Sequence, residues 1–349
     1  MTTRISRLGF PVKVMARDDL KSNDTRRHAS APHLKVSLGY VDQILDHLDR
    51  HDIRMYRMSS DLAPYATHPD LPAFHGMVKE SADELRAIGD KAKRLDIRLS
   101  FHPSQFVVLN SPDPALVQKS IADLVSQAEM LDLMELGPEA VMVIHVGGTY
   151  GDVPTSRARW AETWKILPEP VRRRLVLEHD DLRFSAADVL WIHAETGVRL
   201  IFDYQHFWCL NPERADLRQT LEAVLASWPS GQQPKIHFSS PRTELREQIR
   251  VDKTTRKKTV RHVAPVFTGH ADFVNPFEFA TFMRVAEGLD FDVMLEAKAK
   301  DLALLRLRPD LLRYAPDVAA RFGLEPSEEA ALEAQEDEVL DEVDEGAGA

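Results

Sequence analysis

The sequence predicts a (β/α)8 TIM barrel of the α/β class, followed by an acidic C-terminal tail. Short apolar runs and helical patterns alternate eight times across residues 1–324, a regularity that suits a closed parallel barrel better than an open doubly wound sheet. No Gly-rich phosphate fingerprint follows any run, so the open nucleotide-binding sheet lacks its signature and no nucleotide cofactor is expected. Most of the runs end on His, Asp or Glu, at the barrel end where such folds build their active sites.

Strands are expected at 7–10 (RLGF), 53–58 (IRMYRM), 97–102 (IRLSFH), 140–145 (AVMVIH), 174–178 (RLVLE), 198–203 (VRLIFD), 235–238 (KIHF) and 291–296 (FDVMLE). The third shows the pattern plainly: Ile97, Leu99 and Phe101 alternate with Arg98, Ser100 and His102, as in a strand with two different faces. Helical patterns lie near 38–51, 73–94, 114–135, 155–167, 185–196, 214–227 and 276–287, and 300–315 follows the last strand. Asp113-Pro114 and Ser185-Ala186 put cap residues just before two of them. No low-complexity linker interrupts residues 1–324, which are read as one domain. From Glu325 onward there are eleven acidic residues and no Lys or Arg, so 325–349 is expected to be a disordered tail.

That tail holds the whole formal charge of −11, leaving 44 acids against 44 bases in the body. Two stretches are basic: 1–35 and the loop expected at 242–262 each carry eight Lys or Arg against three acids. Such runs suit phosphates, although a charge run alone is more often a solvated face. With 44% apolar residues the chain can bury a large core. It has no apolar run of about 18 residues, which argues against a membrane span. The N-terminus lacks a signal peptide's apolar core, and the lone Cys209 rules out an internal disulfide. A cytoplasmic protein is expected, acting as a monomer.

The strand ends carry the chemistry. His102 ends the third strand, His145 the fourth, Glu178 the fifth, Asp203 the sixth and Glu296 the last; Lys235 and His237 lie on the seventh. His68, His206 and His270 follow strand ends. Parity sets His102 with Ser100, Glu178 with Val176 and Lys235 with His237, opposite helix-facing Leu175, Leu177, Val293 and Leu295. A single strand-end His is more often a hydrogen-bonded core residue than a ligand. Three carboxylates and six histidines on one rim, however, need positive charge to offset their desolvation. Divalent metal ions supply it, and so many groups imply two or three ions. Paired ions can clamp the attacking and leaving oxygens of a phosphodiester.

RMSSDLAPYATHP (57–69), FHPSQFVVLNSP (101–112), HVGGTYG (145–151), LEHDD (177–181), FDYQH (202–206), KIHFSS (235–240), GHADF (269–273) and VMLEAKAK (293–300) resemble, in order, the UV damage endonuclease family, from about residue 5 to about 305. The resemblance implies a barrel related to endonuclease IV and to xylose-isomerase-like folds. It implies nicking of damaged double-stranded DNA immediately 5′ of a UV photoproduct. Glu178 and Glu296 would bridge the metal ions, with His102 and His145 completing one site, Asp203 and His237 a second, and His206 and His270 a third. Lys235 resembles a carboxylated lysine near the cluster, and His68 a residue beside the phosphate. Gln105 and Phe106 match the pair that probes the lesion. Phe10 and Phe106 stand where many members have Tyr, and His179 where they have Asn; the missing hydroxyls alter the expected contacts to displaced bases.

The expectation is therefore a DNA repair endonuclease using Mn2+, with Zn2+, Mg2+ or Co2+ as alternatives. Two other readings stay open. A sugar isomerase or epimerase would use similar ions but needs neither the Gln105-Phe106 pair nor the basic 242–262 stretch. A silent damage-binding protein would be expected to have lost ligands, and none is missing.

Overall fold

Strand pairing brings the apolar runs together in the order that an eight-fold alternation demands. In the computed structural model, which describes residues 5–325, the strands are β1 (Leu8–Pro11), β2 (Met55–Arg57), β3 (Arg98–Ser100), β4 (Met142–His145), β5 (Leu175–Glu178), β6 (Arg199–Ile201), β7 (Lys235–Phe238), β8 (Arg246–Val251), β9 (Lys258–Val263) and β10 (Asp292–Leu295). Parallel ladders run β3-β2-β1-β10-β7 and β4-β5-β6. Bridges between Phe101 and Met142 and between Asp203 and His237 join the two ladders into a closed barrel. The acidic tail lies outside the described residues, apart from Glu325.

Helices cover the outside: Leu34–Arg50, Ala82–Arg94, Pro114–Leu133, Val153–Ile166, Ala186–Thr196, Leu217–Leu225, Pro276–Val285 and Asp301–Tyr314. Both caps foreseen in the sequence form. The Asp113 carboxylate accepts from the Ala115 N–H, and Ser185 makes a reciprocal capping box with Asp188. The pattern at 73–94 differs from one helix: it divides into Met77–Glu80 and Ala82–Arg94. Ser81 causes the break by donating its hydroxyl to the Met77 carbonyl at 2.7 Å, competing with the helical ladder.

The second departure concerns 242–262. Instead of a loop, β8 and β9 form an antiparallel hairpin between β7 and β10. Its turn is made by Asp252, whose carboxylate accepts from the N–H groups of Thr254 and Thr255. The basic composition hid the alternation of Ile249 and Val251, the first of which stands opposite Val260.

Alternation also divides the barrel strands. Leu8, Phe10, Leu99, Leu175, Leu177, Val293 and Leu295 pack in the large outer core, whereas Val141, Val143, Val176, Ile201 and Trp228 form a separate small cluster. At the N-terminal end, Asp292 takes Arg98 at 2.8 Å and Arg7 at 3.4 Å. The Arg98 and Arg199 guanidiniums lie 5.7 and 4.9 Å from the Trp228 ring. Polar inward side chains are thus paired at that end and converge at the other.

Candidate metal centre

The top of the barrel is built by register. Neighbouring strands set His145 beside Glu178 and Asp203 beside His237, and Glu296 follows β10 with its N–H on the Phe238 carbonyl. Glu178, fully buried, has His102 Nε2 at 3.1 Å and His237 Nδ1 at 2.7 Å. His145 Nε2 and His206 Nδ1 stand 3.6 and 3.7 Å from the same carboxylate. Glu296 is hydrogen-bonded by the Arg57 guanidinium, with His237 Nδ1 at 3.4 Å and His270 Nε2 at 3.8 Å.

Three sets of ligand atoms are close enough to share an ion: His102, His145 and Glu178; Glu178, Asp203 and His206; Asp203, His237 and Glu296. The sets overlap through Glu178 and Asp203. This grouping differs from the one expected from the resemblance, because His206 joins Asp203 and Glu178 while His270 faces Glu296 from outside the sets.

The proton positions, assigned from hydrogen-bond partners, fit a metal. His102 Nδ1 lies 3.1 Å from the Pro103 carbonyl and His206 Nδ1 3.0 Å from the His179 carbonyl. A carbonyl only accepts, so each Nδ1 carries the proton. His270 Nδ1 lies 2.8 Å from the Gln205 side-chain oxygen, while the Gln205 amide nitrogen donates to the carbonyls of Phe267 and Gly269. Where such a ring is neutral its Nε2 keeps a lone pair, and in His102 and His270 that atom faces a carboxylate; against burial, Asp203, Glu178 and Glu296 raise His206 to about 9. Lone pair against carboxylate is repulsive unless a cation intervenes. Buried Asp203 Oδ2 and His237 Nε2 also have no hydrogen-bond partner, which is expected of atoms aimed at an ion. The residues fit divalent metal.

Charge agrees. Burial pushes the Glu178 carboxyl up, but the surrounding His237, His145 and His102 rings outweigh it and hold it well below the usual carboxylate range. Burial raises Asp203 to about 7, with Glu178 and Glu296 adding to the rise. Burial lowers His237 to about 4 and His179 to about 3. Neutral imidazoles are the form that ligates. His179 accepts the Asp203 N–H through Nε2 at 3.1 Å and so steadies that strand end. Lys235, buried and donating to Ser100 Oγ at 3.1 Å, is driven well below the ordinary lysine value by burial, Arg98 and Arg57.

Other expected residues lie around this centre. A turn, closed by the Val107 N–H on the Ser104 carbonyl at 2.9 Å, presents Gln105 and Phe106 to solvent, and Phe106 is 75% exposed. Behind it Val107 and Leu109 are buried and the Val108 N–H donates to Ser120 Oγ, so the turn has a fixed base. His68 is exposed in the loop after β2, and its contacts are to Tyr65, Asp70 and His75 rather than to the carboxylates. The structure corrects the expectation for Phe10. Its ring is fully buried against Tyr56, so it meets no base and the missing hydroxyl costs no such contact. Arg57 and Gln205 went unnoticed in the sequence. Strand parity with Met55 could have found the first, and its place between Asp203 and His206 the second.

Comparison with known proteins places this geometry. The family model described as UV-endonuclease UvdE matches residues 11–320. The UV DNA damage endonuclease of Bacillus pumilus (strain SAFR-032) is 37% identical over 264 residues, covering 75% of this chain and 76% of its own length. That of Bacillus velezensis (strain DSM 23117 / BGSC 10A6 / LMG 26770 / FZB42) is 32% identical over 306 residues, 86% of this chain and 89% of its own. The crystal structure of SacUVDE superposes with a TM-score of 0.72 at 29% identity, covering 88% of this chain and 98% of that one. D-psicose 3-epimerase from Clostridium cellulolyticum H10, with a TM-score of 0.52 at 11% identity and coverage of 90% and 99%, shares the fold alone. With the family model spanning nearly all of the barrel and its rim, the chain belongs to the UV-endonuclease UvdE family.

Proposed function

We propose that this chain is a metal-dependent DNA repair endonuclease that nicks duplex DNA immediately 5′ of UV photoproducts, leaving 3′-hydroxyl and 5′-phosphate ends. The observation that carries the reading is the pair His102 and His270, each with Nδ1 held by an acceptor and Nε2 turned to the Glu178 or Glu296 carboxylate. Names of the relatives supply the substrate class. His102, His145, Glu178, Asp203, His206, His237, His270 and Glu296 would hold two or three divalent ions, Mn2+ foremost. Bound there, the ions would generate hydroxide at neutral pH and neutralise charge gathering on the phosphate.

The chain's own groups divide the remaining work. Arg57 fixes Glu296 and adds a positive charge at the rim. Gln205 and His179 orient His270 and Asp203. Lys235, whose burial favours the free amine, is suited to add to carbon dioxide, forming an N–C bond and releasing one proton as the carbamate forms. His68 is assigned to the phosphate, and Gln105 with Phe106 to the weakened base stack of the lesion. The enzyme works as a cytoplasmic monomer, with 1–324 as the nuclease domain and 325–349 as an acidic tail.

Glu178→Gln tests the site. It should abolish nicking of irradiated DNA and lower bound metal, while gel shifts still show a complex with lesion DNA. A variant that nicks at close to the wild-type rate would overturn the assignment.

A further inference from the structure

The β8–β9 hairpin rises from the same rim, and its register sorts its side chains by chemistry. Opposed residues of an antiparallel pair share a face. The pairs Arg246 with Val263, Gln248 with Arg261 and Arg250 with Thr259 lie on one face. The pairs Glu247 with His262, Ile249 with Val260 and Val251 with Lys258 lie on the other. The first face therefore carries three guanidiniums and no carboxylate. On the second, apolar contacts tie the strands together, and Glu247 stands 3.5 Å from His262. The Arg250 and Arg261 side chains are exposed and have no hydrogen bond or ion pair among the described residues, while the Arg246 side chain donates to the Ala264 carbonyl.

The foot of the ribbon is fastened to the metal centre. Pro241 bridges His270, the Arg242 N–H donates to the Gly269 carbonyl at 2.7 Å, and Gln205 holds both Gly269 and His270. Each strand has six residues, a reach of about 20 Å. A two-stranded ribbon with both faces in water is marginal alone, and unpaired guanidiniums along one side call for a polyanion. Arginine forks suit phosphate oxygens.

We propose that the arginine face of this ribbon grips the phosphate backbone of the duplex beside the scissile bond, with Arg250 and Arg261 as its principal contacts. This rests on the nuclease reading above. Charge complementarity and continuity with the rim through His270 select duplex DNA over other anions.

The test uses the full chain and a fluorescent undamaged duplex, with affinity measured by anisotropy across a salt series. Arg250→Gln and Arg261→Gln should each lower the slope of log affinity against log salt by about 0.9, and the double variant by about 1.8. Lys258→Gln removes one charge from the opposite face and should leave the slope unchanged. Arg261→Lys should retain it, which separates lost charge from a disturbed hairpin. Unchanged slopes for both Arg→Gln variants, or an equal loss with Lys258→Gln, would overturn the proposal. If the wild type fails to nick irradiated plasmid with any divalent ion, the nuclease reading fails, and the slopes still judge the ribbon.

Discussion

Truncating Phe106 to Ala separates a lesion probe from a packing residue. Phe106 is 75% exposed on a turn whose base is held by Val107, Leu109 and Ser120. A phenylalanine side chain offers about 200 Å², so the covered quarter is roughly 50 Å². At about 25 cal/mol per Å² the folded state loses at most about 1 kcal/mol. That corresponds to a shift in Tm of about 2–4 °C or less for a chain of this size. Stacking on a base exposed by a photoproduct is worth about 1–3 kcal/mol, or roughly five- to hundredfold in rate at about 1.4 kcal/mol per decade. The assay compares kcat/KM on a duplex with one photoproduct, metal content and thermal melting for the wild type, Gln105→Ala and Phe106→Ala. The expected result is a ten- to hundredfold loss for Phe106→Ala, with metal and Tm almost unchanged. Wild-type cleavage per folded molecule, with or without a large drop in Tm, would refute the probe.

Two further predictions concern the scaffold. A Cβ on Gly89 would sit 1.8 Å from the Met134 carbonyl oxygen, so Gly89→Ala should destabilise by about 2–3 kcal/mol in urea melts, although Ala favours helix by about 1 kcal/mol. A neutral or stabilised variant would contradict the close crossing. Hydrogen bonds from the Arg26 side chain, against burial and with help from the His33 and Arg26 N–H groups, pull the Asp24 carboxyl down to about 2. A folded pKa below the unfolded value of about 3.9 stabilises the protein above that pH, and the gain is lost as pH falls towards 2. Half-exposed Arg26 screens the pair, so Asp24→Asn should cost about 1 kcal/mol at pH 7, fading as the pH approaches 2. A gap that stays constant with pH would exclude this titration.

The barrel was legible because each barrel strand is short, apolar on its helix-facing side and followed by a helical pattern, in two cases with a cap residue that the sequence shows, Asp113 and Ser185. The candidate metal ligands were legible from parity: His102, Glu178 and His237 fall on the inward face whatever the exact strand ends. What escaped depended on side-chain reach. Arg57 crosses from β2 to Glu296, and Gln205 serves His270 from 65 positions away. The hairpin escaped because its strands are exposed on both faces, so no burial pattern marks them. Phe10 was misjudged because one residue decides which face a strand side chain occupies; Gly9 faces inward where a Cβ would strike Met55, and Phe10 faces the helices.

The most direct test of a metal-dependent lesion nuclease is the conversion of supercoiled to nicked plasmid, irradiated and unirradiated, by protein stripped with EDTA and then supplied with Mn2+. The account predicts no nicking without metal, rapid nicking of the irradiated plasmid once Mn2+ is restored, and little of the unirradiated one. Nicking of both plasmids at the same rate, undiminished activity in EDTA, or no nicking under any divalent ion would contradict it.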